Sequence, residues 1–193
     1  DEARYRIAEL RFLAGDFDTA QVLLEALLSG PTARYAVNDA LALSVLIQEG
    51  SKEGPQILKA YAAARKQVRQ GKAEPALTAF RDLLQNHPGS GLTDRMLAAR
   101  AELEETLKRY PEAVQTCRRL IADLPWSPLC PWAQMALGRI YEDRLGQAVD
   151  ARDAYETLLV NYPESLEADD ARDRLRGLQK QIQELESRQK ETG

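Results

Sequence analysis

One histidine, two cysteines and 6% aromatic residues in a chain of 193 narrow the available chemistry before any motif is read. A lone His87 cannot build a histidine-based metal site. It stands just before Pro88, at a helix end, where a capping or solvent role is expected. Cys117 and Cys130 show neither zinc-ligand spacing nor a Cys-x-x-Cys motif. Cys117 falls on an apolar helical stripe and is expected as a buried free thiol. Cys130 lies in the proline-rich connection 125–131, and free thiols are favoured over a bridge between the two. Long apolar runs are missing too. None approaches the roughly 20 residues of a membrane span, and no signal-peptide core is present. There is no Gly-rich phosphate loop, Gly-x-Ser-x-Gly elbow or His-Glu-x-x-His helix. Nor is there an excess of positive charge. Lys and Arg number 26 against 30 Asp and Glu, for a formal net charge of −4, which argues against a general grip on nucleic acid. No catalytic residue, metal or cofactor is expected. The chain opens at Asp1 directly in helical pattern, as expected of a processed or excised piece.

What the chain does contain is a recurring motif. Asn86-His87-Pro88-Gly89-Ser90, Asp123-Leu124-Pro125-Trp126-Ser127 and Asn161-Tyr162-Pro163-Glu164-Ser165 share a Pro-x-Ser skeleton, with prolines 37 (125 − 88) and 38 (163 − 125) residues apart. A stride of this size marks a repeat architecture, in which each unit buries its apolar face against the next. Helical periodicity dominates, and no alternating strand pattern is found. Helices are expected over about 2–14, 17–29, 32–49, 56–70, 73–87, 92–108, 111–124, 131–145, 148–161 and 165–189. Gly50 is expected to close the third, with Ser51 to Pro55 as a linker. Ser90 or Thr93, Ser127 and Ser165 are candidate N-caps.

The second helix of each pair carries one apolar signature: Ala20, Leu24, Leu27; Ala76, Phe80, Leu83; Ala113, Cys117, Leu120; Ala151, Tyr155, Leu158. Offsets of four and three place each trio on a single face. Small residues at Ala8, Ala64, Ala101 and Gly138 mark the crossing points of the preceding helices. The alanines at 20, 76, 113 and 151 reveal one extra half-repeat, the helix 32–49. Either it reverses the hairpins after it, or the linker runs back along it.

These features resemble tetratricopeptide repeats, notably Ile7-Ala8 with Gly15-Asp16-Phe17-Asp18-Thr19-Ala20, Leu137-Gly138-Arg139-Ile140-Tyr141, and the closing Pro88, Pro125 and Pro163. The resemblance implies an all-α fold: a right-handed αα-superhelix (a tetratricopeptide-like solenoid) of about ten helices. It would be a single solenoid over 1–193, with repeats at about 1–30, 56–88, 92–125 and 131–163 and a long C-terminal capping helix. The stretch from Tyr162 to Ala171 is similar to the Tyr-Pro-x-Ser-x-x-Ala-x-x-Ala pattern of bacterial envelope repeat proteins. That similarity implies a bacterial setting, periplasmic or envelope-associated rather than cytoplasmic. In this family the first helix of each pair lines the concave face. Carried over, that face holds Tyr5, Glu9 and Phe12, then Tyr61, Arg65, Val68 and Arg69. Further along it holds Arg95, Glu102 and Glu105, then Trp132, Met135, Arg139 and Glu142. Aromatic and arginine side chains there suit a protein partner, and they would equally serve inter-helix packing.

The basic cluster Arg65, Lys66, Arg69, Lys72 reads as a solvated helix face or a contact for an acidic protein segment. The acidic pairs Glu104-Glu105 and Asp169-Asp170 read as solvated surface. Ala171, Leu175, Leu178, Ile182 and Leu185 step as a short coiled-coil seam, so Leu178, Ile182 and Leu185 are candidates for helix pairing or self-association. The expected function is a non-catalytic scaffold binding a peptide or helix of a partner protein. The alternative is a structural segment of a larger repeat protein or envelope complex with no ligand of its own.

Overall fold

The computed structural model describes residues 2–30 and 34–191, with side chains described for 2–30 and 37–180. Among the described residues the chain is all-α, with ten helices and no strand. It forms two compact units, Asp1–Met96 and Leu97–Gly193. The first contains α1 (Glu2–Leu13), α2 (Phe17–Leu28), α3 (Arg34–Glu53), α4 (Pro55–Arg69) and α5 (Ala73–Asn86). The boundary falls inside α6 (Thr93–Thr106). The second unit continues with α7 (Tyr110–Asp123) and α8 (Cys130–Arg139), which runs on as a π-helical turn, Ile140–Leu145. It ends with α9 (Ala148–Asn161) and α10 (Ala168–Glu191). In the first unit α1 pairs with α2, α4 with α5, and α3 packs on both α2 and α4; in the second α8 pairs with α9, which also carries α10.

Two local turns, each repeated, set this pattern. Within each hairpin a left-handed residue ends the first helix: Gly15 (φ 82°), Gly71 (71°), Lys108 (59°) and Gly146 (65°). Glycine reaches that region without the Cβ penalty other residues meet, and Lys108 is the one non-glycine there among the described residues. The next residue, Asp16, Lys72, Arg109 or Gln147, opens the second helix. Between hairpins the Pro-x-Ser skeleton forms two linked turns. The amides of Ser90, Ser127 and Ser165 donate to the carbonyls of His87, Leu124 and Tyr162 at 3.3, 2.9 and 3.1 Å. The serine carbonyls then accept from Thr93, Cys130 and Ala168 at 3.0, 3.1 and 3.2 Å. Proline suits the second position of such a turn because its φ is already set.

Those serines are not the helix caps expected of them. The hydroxyls of Ser90 and Ser127 accept from Leu92 and Leu129, two residues on and still outside the helices, and Thr93 donates to the Ser90 carbonyl. Ser165 Oγ is buried and has no hydrogen-bond partner. The linker expected at 51–55 is also corrected. α3 runs through Gly50 to Glu53, leaving only Gly54 (φ 112°) before Pro55 starts α4. One residue cannot run back along a helix, so α4 begins where α3 stops. Gly50 is there for contact: a Cβ would stand 2.5 Å from Leu58 Cδ1 of α4.

The apolar signature is the core. Ala20, Leu24, Ala76, Phe80, Ala113, Leu120, Ala151, Tyr155 and Leu158 are fully buried, and Leu27, Leu83 and Cys117 nearly so. Each large aliphatic or aromatic side chain removed from water in this way is worth about 1.5–3 kcal/mol. In the first unit the rings of Phe17, Phe12, Tyr61 and Phe80 follow one another at 5.7, 6.5 and 5.6 Å between centroids. Both cysteines are buried free thiols.

The change of stride from 37 to 38 has a location. Thr93 and Cys130, which open α6 and α8, stand 37 residues apart (130 − 93), whereas Lys108 and Gly146, which follow the same helices, stand 38 apart (146 − 108). The extra residue therefore lies within α8 and its π turn. The closing hydrogen bonds record it: Asp16, Lys72 and Arg109 donate to carbonyls five residues back, but Gln147 donates to Tyr141, six back. A π turn absorbs one inserted residue without breaking the helix.

Candidate protein-binding surface

The residue after each crossing point, Glu9, Arg65, Glu102 and Arg139, alternates in sign along the chain. In the first unit Glu9 accepts from Arg6 at 3.2 Å and faces Arg69 at 3.6 Å. Tyr5 lies beside this group under the Arg6 guanidinium, 5.9 Å from its ring. Burial raises the Tyr5 pKa, with Glu9 and Asp39 adding to the rise against Arg6 and Arg65. Arg95 is bound to Glu49 at 2.8 Å.

In the second unit the buried Cys117 thiol lies in the field of Glu105, Glu104, Arg139 and Glu102. Burial first, then Glu105 and Glu104, push that thiol up to about 12, with Arg139 opposing. Arg139 is half-buried, makes no ion pair among the described residues, and its Nε is buried without an acceptor. Trp132, also half-buried, lies two turns earlier on the same face of α8. Nearby, Glu102, Glu105, Thr106, Lys108, Tyr110 and Arg144 line an open polar cleft of about 490 Å³, crossed by a long Arg144–Glu105 pair at 3.9 Å. Glu142, on the π turn, accepts at Oε2 from the Tyr155 hydroxyl at 2.7 Å and from Arg174 of α10 at 2.8 Å, so that oxygen is occupied.

The expected concave-face residues therefore divide. Phe12, Tyr61 and Met135 are 3–5% exposed and pack within their units, offering a partner almost no surface. Tyr5, Glu9, Arg65, Arg95, Trp132, Arg139 and Glu142 are half-buried, while Arg69 and Glu102 are exposed. Leu178 is 2% exposed and buried within its unit, which removes it as a free pairing position. Ile182 and Leu185 lie outside the described side chains.

Glu104, expected on a solvated face, is fully buried. It accepts from Arg100 Nε at 2.8 Å and from the Thr116 hydroxyl of α7 at 2.6 Å. Its place three residues after the crossing residue Ala101, one helical turn on, was the signal available for its burial. Asp169 and Asp170 do sit at the surface. Among the described residues no group of acidic, histidine and cysteine side chains is placed to hold a metal, and no helix is long and apolar enough to cross a membrane.

Two tetratricopeptide repeat family models match the chain, one over residues 61–128 and the other over 2–29 and 132–165. Together they cover about two thirds of it and pass over α3, the extra helix. The chain belongs to the tetratricopeptide repeat family, and its fold is the all-α tetratricopeptide-like one. Such repeats are generally non-catalytic scaffolds for protein–protein interaction. No curated protein matches it in sequence. Among solved structures it is similar to the tetratricopeptide repeat domain of P58(IPK), at 16% identity and a TM-score of 0.52 over 94% of this chain. The chain spans 47% of that domain, about half its length. It is also similar to TTC0263, a tetratricopeptide repeat protein of Thermus thermophilus, at 20% identity and a TM-score of 0.48, over 92% of this chain and 97% of that one.

Proposed function

We propose that this chain is a non-catalytic scaffold that holds a peptide or helix of a partner protein against the exposed side of its first helices, chiefly α8. The observation that carries the reading is Arg139: a half-buried guanidinium with no ion pair among the described residues, on the same helix face as half-buried Trp132. A partner carboxylate would satisfy the guanidinium bidentately, and an apolar side chain would cover the indole. Glu102 and Glu105, which line the polar cleft of the same unit, favour a segment that carries a basic group as well. The net charge of −4 supports a protein rather than a nucleic acid as partner.

A photo-crosslinking amino acid at position 132, with one at exposed Arg119 of α7 as control, tests this in extract from the native source. One partner should crosslink at 132 and not at 119, and its recovery should fall at least about tenfold with Trp132→Ala plus Arg139→Ala. Undiminished recovery with the double variant overturns the assignment. The Tyr162 to Ala171 stretch supports a bacterial envelope or periplasmic setting, and fractionation of the source cells checks it.

A further inference from the structure

We propose a second docking surface, on the edge of the second unit where the Pro-x-Ser turns lie, for a basic amphipathic segment of another protein. Its anchors are Trp126 and Leu166, which are 77% and 96% exposed. Neither is required by its turn, because the sister turns carry Gly89 and Glu164 in the place of Trp126, and Gly91 and Pro128 in the place of Leu166. Exposed prolines 125, 128 and 163 extend the apolar surface. A tryptophan held almost wholly in water on a turn that accepts glycine or glutamate is better explained by a contact than by the fold.

The turns are built to hold these side chains still. Beyond the paired backbone bonds already described, Arg172 Nη2 donates to the Pro163 carbonyl at 3.1 Å. Tyr162 neighbours the Cys130 thiol, which donates to the Leu124 carbonyl at 3.2 Å. That neighbourhood sets the Leu166 turn beside the Trp126 turn, and the bonds within each turn mean that a partner would meet a preorganised surface and lose little entropy in ordering it.

Charge selects the occupant. Residues 120–138 and 153–171, which include both turns, hold seven carboxylates and no lysine or arginine. Arginines at the margins pair with five of them, Asp123, Asp153, Glu156, Asp169 and Asp170. Glu164 and Glu167, on either side of Leu166, make no ion pair among the described residues. An apolar surface rimmed by carboxylates repels anionic lipid headgroups and acidic peptides and favours lysine or arginine beside a large apolar side chain.

The test is selection of a random twelve-residue peptide library, displayed on phage, against the full chain at low salt. Enriched peptides should carry net positive charge and at least one large apolar residue. Their affinity should fall tenfold or more on Trp126→Ser plus Leu166→Ser, and similarly on Glu164→Lys plus Glu167→Lys, with circular dichroism unchanged in both. It should be unaltered on Trp132→Ala plus Arg139→Ala. Absence of enrichment, enrichment of neutral or acidic peptides, or retention on the Trp126/Leu166 variant overturns the proposal. Loss only on the Trp132/Arg139 variant also overturns it, while supporting the surface on α8. Binding of zwitterionic lipid vesicles that depends on Trp126 and outcompetes the peptides assigns the patch to a membrane and overturns it as well.

Discussion

The Tyr155 ring occupies the space that a side chain at Gly138 would need. A Cβ there would fall well inside van der Waals distance of three ring carbons. The ring is fully buried and its hydroxyl is held by Glu142, so it cannot swing away. A glycine in mid-helix costs about 1 kcal/mol against alanine, and that cost is what lets α8 and α9 approach so closely. Gly138→Ala should therefore destabilise the second unit by about 1–3 kcal/mol despite its better helix propensity. Urea unfolding reads this directly, and an unchanged or raised midpoint would contradict the contact.

Glu104 is a charge with no exposure, joined to Arg100 and Thr116. Arg100 keeps some contact with water, but the Thr116 hydroxyl is buried and would lose its acceptor with Glu104. Glu104→Ala should cost about 1–3 kcal/mol, and Glu104→Gln less, since the amide still accepts from Thr116. Equal losses from the two variants would mean that the charge, which both remove, and not the packing or the Thr116 bond, holds the site.

Lys108 adopts a left-handed conformation that glycine fills in the three sister turns. The left-handed region costs an ordinary residue about 1–2 kcal/mol, part of which is offset by the greater freedom of glycine in the unfolded chain. Lys108→Gly should raise stability by about 0.5–1 kcal/mol, and Gly146→Ala should lower it by a similar amount. Thermal melts of the pair decide the sign.

The Cys117 thiol, pushed up to about 12, titrates well above an unfolded thiol near 9. Above the unfolded value the unfolded state loses its proton first, so stability is intact below about pH 9 and falls as the pH rises toward 12. The slope is up to about 1.4 kcal/mol per pH unit. Tyr155, raised by burial and then by its bond to Glu142, adds a loss of the same sign at still higher pH. Cys117→Ala should start less stable but lose less between pH 9 and 11. Parallel curves for the two proteins would refute the assignment. At pH 8 the native thiol should also resist a soluble disulfide reagent until the protein unfolds.

What the amino-acid sequence determined by itself is everything that short-range geometry controls. Gly15, Gly71 and Gly146, the Pro-x-Ser turns, and the four-and-three spacing of Ala, large residue and Leu specify paired helices within a few residues of their true ends. Each of these depends only on neighbours along the chain. The tertiary structure alone decided what depends on residues far apart. Gly50 reads as a helix stop until Leu58 of α4 is seen against it. Glu104 reads as solvated until Thr116 of α7 reaches it. Phe12 and Tyr61 read as groove lining until their rings meet. The 38-residue stride showed that a residue had been added, but not that a π turn would absorb it. Burial is a property of two surfaces meeting, and a one-dimensional pattern records only one of them.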